Sequence, residues 1–217
     1  MPEHREITRR RFIGLLSGAV GAGMLACCGL GALMRVQPHV DYPESTCGDE
    51  RMNKILVAYA SKAGSTGEVA GFIGQVLCES GAVVDIRLAK EVSDLSPYQA
   101  VVVGSAIRMG RWLPEAIKFV ERYQAVLKTL PVAYFQVSGF LKEGTPERRQ
   151  EAAACLAPVR ALVAPVSEGL FAGKMDYSKL SFIDRMIARI AGSVEGDWRD
   201  WDAIRAWAVS LRSVLGS

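Results

Sequence analysis

Lys54-Ile55-Leu56-Val57-Ala58-Tyr59-Ala60-Ser61-Lys62-Ala63-Gly64-Ser65-Thr66-Gly67 decides how this chain is read. It opens as an apolar run of strand formers and breaks into a small, hydroxyl-rich loop containing glycine. A helical repeat follows at once, with Val69, Phe72, Ile73, Val76 and Leu77 spaced by three and four. Strand, tight loop and helix together aim backbone N–H groups and a helix dipole at an anion. Ser61, Ser65 and Thr66 add hydroxyl donors, so the stretch reads as a phosphate-binding loop. Two other glycine-loop patterns fail here. No lysine follows Gly67, as a mononucleotide loop requires, and Lys62 stands where a dinucleotide fingerprint needs its first glycine. A hydroxyl-rich loop with one or two glycines suits a terminal monophosphate, wrapped by N–H and O–H donors without metal. An ordinary turn whose Ser65 or Thr66 caps the helix is the competing reading.

Working outward, Ala82–Leu88 reads as a second strand and Ala100–Gly104 as a third. The unbroken apolar character of the third marks a buried parallel strand. Ser105 to Trp112 then forms a loop, and a helix starts near Leu113 with Pro114 in its first turn. Pro131–Val137 is a fourth strand opening at Ser138-Gly139 into a loop, and Pro146–Leu156 is helical. Leu162–Phe171 holds a fifth strand interrupted by Pro165, and Trp201–Leu215 is the last helix. Strands alternating with helices predict an α/β, doubly wound parallel sheet with helices on both faces. In such sheets ligands sit beyond the carboxyl ends of the strands. The loops 61–66, 105–112 and 138–145 all leave those ends, and their agreement strengthens the phosphate reading.

The N-terminus is of another kind. Thr8-Arg9-Arg10-Arg11-Phe12-Ile13 resembles a twin-arginine export signal, and Phe12 to Met34 follows as 23 residues without a charge. At about 1.5 Å per helical residue that run could cross a bilayer core of ~30 Å. Its Gly- and Ala-rich composition is that of a signal segment, so residues 1–34 are read as a signal or membrane anchor and kept out of the fold. Cleavage, retention as an anchor, and acylation at Cys27 or Cys28 stay open. The resemblance implies export to the extracytoplasmic face of the plasma membrane, with the protein already folded and its cofactor held. Residues 35–52 read as a polar linker in which Pro38, Pro43 and Gly48 discourage regular structure, and 53–217 as the domain.

Charge and cysteine usage narrow the function classes. Removing the four arginines and two glutamates before residue 15 leaves 22 basic against 21 acidic residues, which gives nucleic-acid binding no electrostatic support. The five cysteines form no C-x-x-C pair, and His4 and His39 lie outside the domain, so no metal centre or Cys-His chemistry is expected. Cys78 and Cys155 fall in helical patterns and read as core filler.

With these residues in place, the chain resembles the flavodoxin-like family, and more closely its menaquinone-dependent protoporphyrinogen oxidase branch. The matching blocks are Ala60–Thr66, Val103–Gly110, Pro131–Ser138, and Asp176–Gly192 with Phe182-Ile183-Asp184-Arg185-Met186-Ile187 inside it. Asp200-Trp201 before the final helix also fits. The resemblance implies a five-stranded sheet of order 2-1-3-4-5 and FMN as cofactor. It places the FMN phosphate on Ser61, Lys62, Ala63, Gly64, Ser65 and Thr66. The flavin ring would lie beside Ser105, Ala106, Ile107, Arg108, Met109 and Gly110, with Ser138 and Gly139 opposite. Arg108 would offset negative charge on the reduced ring. Met109 replaces the branch's usual aromatic, so Trp112 is the candidate for stacking, and Ser138 replaces an asparagine. The function implied is an FMN oxidoreductase passing electrons to a membrane quinone, with a porphyrinogen as substrate. A non-enzymatic, exported flavodoxin-type carrier serving a redox partner is the alternative, although carriers generally steer with a strongly charged face that this near-neutral domain lacks.

The segment 174–192 interrupts the pattern between the last strand and the last helix. Leu180, Ile183, Ile187 and Ile190 make an apolar stripe with Lys179, Arg185 and Arg189 nearby. We read it as a helix covering the sheet edge, apolar face inward, with a membrane-surface helix that would bring flavin and quinone together as the alternative.

Overall fold

The computed structural model describes residues 40–47, 54–190 and 192–215. The signal-like segment and part of the linker lie outside the described residues. Two compact units are present: residues 40–179 with 193–215, and residues 180–192.

In the larger unit, strands β1 (Ser45–Cys47), β2 (Lys54–Ala60), β3 (Val83–Leu88), β4 (Tyr98–Arg108), β6 (Val132–Ser138) and β7 (Ser167–Ala172) form one sheet in the order β1-β3-β2-β4-β6-β7. The five strands from β3 to β7 along this path are mutually parallel and reproduce the expected 2-1-3-4-5 order. The short strand β5 (Arg111–Trp112) turns back on the end of β4. Helices α1 (Ser65–Glu79) and α7 (Trp201–Leu215) cover one face. The other face is covered by α2 (Pro114–Arg122), α3 (Gln124–Leu127) and α5 (Ala157–Leu162), with α4 (Pro146–Ala154) leading into α5.

The strand period of two divides the core. Ile55, Val57 and Tyr59 of β2 join Val69, Ile73, Val76 and Leu77 of α1 and Ile204, Ala208, Leu211 and Leu215 of α7. Leu56, Ala58 and Ala60 join Ala116, Phe119 and Val120 of α2 and Leu156 and Val159 around α5. Because both faces are covered, β2 and the centre of β4 are apolar without alternation. Each fully buried Leu, Ile or Val contributes roughly 1.5–3 kcal/mol relative to exposure. At the sheet centre Gly104 admits the ring of Phe135. A Cβ built at Gly104 would lie 2.0 Å from Phe135 Cζ.

Four expectations need correction. The linker is not without structure, since β1 pairs antiparallel with β3 through Ser45–Ile86, Thr46–Asp85 and Cys47–Val84. Cys78 is not core filler. It is bonded to Cys47, which the pairing of β1 brings beside α1 at a Cα–Cα distance of 6.2 Å. Cys155 does remain a buried free thiol, and burial pushes its pKa up. The fifth strand is found, but it runs Ser167–Ala172 beyond Pro165 rather than being interrupted by it. Leu162 closes the short helix α5, where Val159 O and the following Val163 O accept from the buried Tyr134 hydroxyl.

The fourth correction concerns residues 180–192. Helix α6 (Phe182–Ile190) is formed, with Ser181 Oγ accepting from Asp184 N at its start. Its apolar residues Phe182, Ile183, Met186, Ile187 and Ile190 are between 45 and 81% exposed, where a covered apolar face was expected. Among the described residues no helix is long and apolar enough to cross a membrane.

Candidate functional site

The ladder itself gathers the candidate loops. Ala60 pairs with Ser105, and Ala106 with Val137, so β2, β4 and β6 end side by side. Strand order reverses between β2 and β4, the position at which ligands enter sheets of this kind.

The first loop, 61–64, is built around Gly64 at φ 87, a left-handed conformation that disfavours a side chain. Ser61 Oγ accepts from Gly64 N at 3.1 Å, which closes the turn, and Glu68 N donates to Gly64 O at 3.0 Å to start α1. Among the described residues no side chain caps α1. Neither Ser65 nor Thr66 caps it, against the competing reading, and an uncapped helix start is of the kind that accepts an anion. Thr66 is buried, and Ser65 Oγ accepts from Lys174 N at 3.1 Å, which ties β8 (Lys174–Met175) to the loop. Lys62 Nζ donates to Glu115 Oε1 at 2.8 Å, and this hydrogen bond holds the Glu115 carboxyl below the usual carboxylate range. Glu115 Oε2 is buried and has no hydrogen-bond partner among the described residues. An uncapped helix start next to an orphaned acceptor fits a ligand that combines a phosphate with hydroxyl groups, as FMN does.

The second loop is a hairpin rather than an open segment. β4 continues to Arg108, and Ile107 pairs with Trp112 and Arg108 with Arg111 around the turn Met109-Gly110. Met109 at φ 51 and Gly110 at φ 72 both occupy the left-handed region, as a two-residue turn of this handedness demands. Met109 stands 94% exposed at the tip. Ser105 is buried, its hydroxyl accepting from Leu113 N and donating to Ala106 O, so it shapes the hairpin base. Ala106 and Ile107 are half-buried, and Arg108 and Gly110 exposed.

Trp112 does not lie where a stacking residue would. Its ring is 3% exposed, meets Tyr134 edge to face at 5.4 Å, and donates through Nε1 to Gln136 Oε1 at 3.0 Å. Gln136 in turn donates to Ala152 O, so a satisfied buried chain links hairpin, β6 and α4. In the third loop Ser138 is buried, its Oγ accepting from Phe140 N at 3.1 Å to start the 3-10 turn Gly139–Glu143, while Gly139 is exposed.

Thus the structure brings Ser61–Thr66, Ala106–Gly110 and Gly139 to one edge, and uses Ser105, Ser138 and Trp112 as internal supports. Sequence reasoning missed Glu115, Gln136 and Lys174. Glu115 could be read only as a surface partner for Arg108, whereas the structure pairs it with Lys62, and the other two carried no pattern at all. A cavity of about 690 Å³ lies between residues 40–43, Ala63 and Gly64 of the loop, Glu68 and Phe72 of α1, and Trp201. Through Ala63 and Gly64 it touches the loop 61–66, while none of residues 105–112 or 138–139 lines it. Among the described residues no cluster of His, Cys, Asp and Glu could hold a metal.

A five-stranded parallel sheet of this order, wrapped by helices, with an uncapped hydroxyl-rich loop at its switch point, defines a flavodoxin-like protein. A sequence model of the flavodoxin domain matches residues 56–201, more than half of the chain, and the chain belongs to that family. It is similar to the protoporphyrinogen IX dehydrogenase (quinone) of Escherichia coli (strain K12), 22% identical over 169 residues that cover 71% of this chain and 92% of that protein. The protein of the same name from Leishmania major is 26% identical over 171 residues, 71% of this chain and 73% of that one. A solved flavodoxin from the domain Archaea superposes with a TM-score of 0.49 at 16% identity, covering 76% of this chain and 99% of the other.

Proposed function

We propose that this chain is an exported, FMN-dependent oxidoreductase that takes electrons from a reduced substrate of the porphyrinogen class and passes them to a membrane quinone. The observation that carries it is the uncapped start of α1 at the switch point, set beside the Ala106–Gly110 hairpin and Gly139. When bound, FMN would supply the redox chemistry. The chain's own part is to hold and shield. Backbone N–H groups of residues 65 and 66 with the hydroxyls of Ser61, Ser65 and Thr66 would bind the phosphate. Glu115 would accept from a hydroxyl of the ligand. Ala106, Ile107 and Gly139 would flank the ring, and Arg108 would offset charge gained on reduction.

The substrate and acceptor classes come from the names of the Escherichia coli and Leishmania major relatives. The exposed apolar face of α6, together with the uncharged run Phe12 to Met34, supports contact with a membrane. Purified full-length protein should show flavin absorption and oxidise protoporphyrinogen with a menaquinone analogue. A colourless protein with no FMN affinity would remove the cofactor assignment. Bound FMN without turnover would leave an electron carrier instead.

A further inference from the structure

The chain just before β1 lies on the phosphate loop. The Tyr42 hydroxyl donates to Lys62 O at 3.3 Å, the buried Tyr59 hydroxyl to Pro43 O at 3.0 Å, and Leu88 N to Glu44 Oε1 at 3.2 Å. Val40 covers Gly64, whose built Cβ would lie 3.0 Å from Val40 Cγ1, and Pro43 stands equally close to Gly67. This strap ends in Cys47, which is bonded to Cys78. The bond spans 31 positions, and β2, the loop and most of α1 all lie inside the ring it closes.

We infer that the Cys47–Cys78 disulfide is a redox clasp on the phosphate loop: as a dithiol it leaves the strap able to lift and FMN able to exchange, and as a disulfide it locks strap and loop together and retains FMN. The inference rests on the FMN reading and on the export proposed above. Thiols stay reduced in the cytoplasm and pair in extracytoplasmic compartments. A chain carried across folded would therefore load its cofactor with the clasp open and have it shut on arrival. Closure is thiol–disulfide exchange with a disulfide-bearing protein oxidant outside the cytoplasm. One cysteine forms a mixed disulfide with it and the other displaces it, so Cys47 and Cys78 together lose two electrons and two protons and the oxidant leaves as a dithiol. A bond that served only the sheet edge would not need the strap seated over Gly64 and Gly67.

The test uses the full chain in three forms: oxidised, reduced with a phosphine, and Cys47→Ser, with Cys78→Ser as a second variant should the first fold poorly. FMN release is followed by the rise of free-flavin fluorescence at a temperature where circular dichroism shows every form folded. Hydrogen exchange of residues 62–66 is measured in parallel without flavin. Reduction or either substitution should speed release about tenfold, a modest share of what closing a 31-residue ring is worth, and should deprotect residues 62–66. Equal release from oxidised and reduced protein overturns the clasp. If no form binds FMN, the cofactor reading fails by itself, and the exchange data then decide: unchanged protection of residues 62–66 on reduction overturns the clasp.

Discussion

Lys62 and Glu115 bind one another across the mouth of the candidate site, Nζ to Oε1 at 2.8 Å, joining the loop 61–64 to the first turn of α2. The hydrogen bond from Lys62 lowers the Glu115 pKa from an ordinary 4.5. A carboxyl held low in the folded chain contributes stability above its unfolded pKa and loses it as pH falls through the folded value. Both side chains are a third or more exposed, so the pair is worth about 0.5 kcal/mol. Glu115→Gln should lower the urea midpoint at pH 7 and leave it level with wild type at pH 3. A gap that persists in acid would show that the ion pair is not its cause.

Gly104 is where the sheet centre has no room. With Phe135 Cζ 2.0 Å from a built Cβ, Gly104→Ala should destabilise by about 2–3 kcal/mol. Adding Phe135→Leu should recover part of that loss, because the two changes act on one contact. Thermal melts of the single and double variants decide it, and additive losses would refute the steric account.

Met109 carries a backbone that suits asparagine better. Asn tolerates the left-handed region, and the Met109 side chain is 94% exposed, so little packing is given up. Met109→Asn should stabilise by about 0.5–1 kcal/mol, seen as a higher melting temperature. If the Met109 side chain meets the quinone, the same variant should raise KM for the menaquinone analogue while the melting temperature rises.

Trp112→Phe separates support from stacking. Losing the Nε1 donor orphans Gln136 Oε1 in the core, at about 1–3 kcal/mol in stability. Since the ring packs on Tyr134, FMN affinity measured at a temperature well below unfolding should stay within about twofold of wild type. A loss of FMN affinity far beyond that would return Trp112 to the ligand.

The parallel sheet was legible because burial on both faces leaves a simple mark: Ile55–Ala60 and Ala100–Val103 are apolar throughout, and the strands are found there. Trp201–Leu215 was equally plain from its one-sided stripe. The loop before α1 could be read because its glycine, hydroxyls and following helix are contiguous. What escaped notice depends on partners far away in the chain. Ser45–Cys47 is polar and short, and becomes a strand only because β3 has an open edge and Cys78 a sulfur within reach. The turn Met109-Gly110 lacks the Asn that advertises a hairpin, and what extends β4 is the pairing of Ile107 with Trp112. Glu115 is brought to Lys62 across 53 positions, a relation that no local pattern contains.

β1 also has a bearing on how this protein behaves in a crowd. It occupies the outer side of β3 along Val84, Asp85 and Ile86, whose N–H and C=O groups there would otherwise be open to another strand. Such an edge recruits strands from neighbouring molecules. The three residues of β1 thus act as a cover against self-association, fastened by the bond to Cys78.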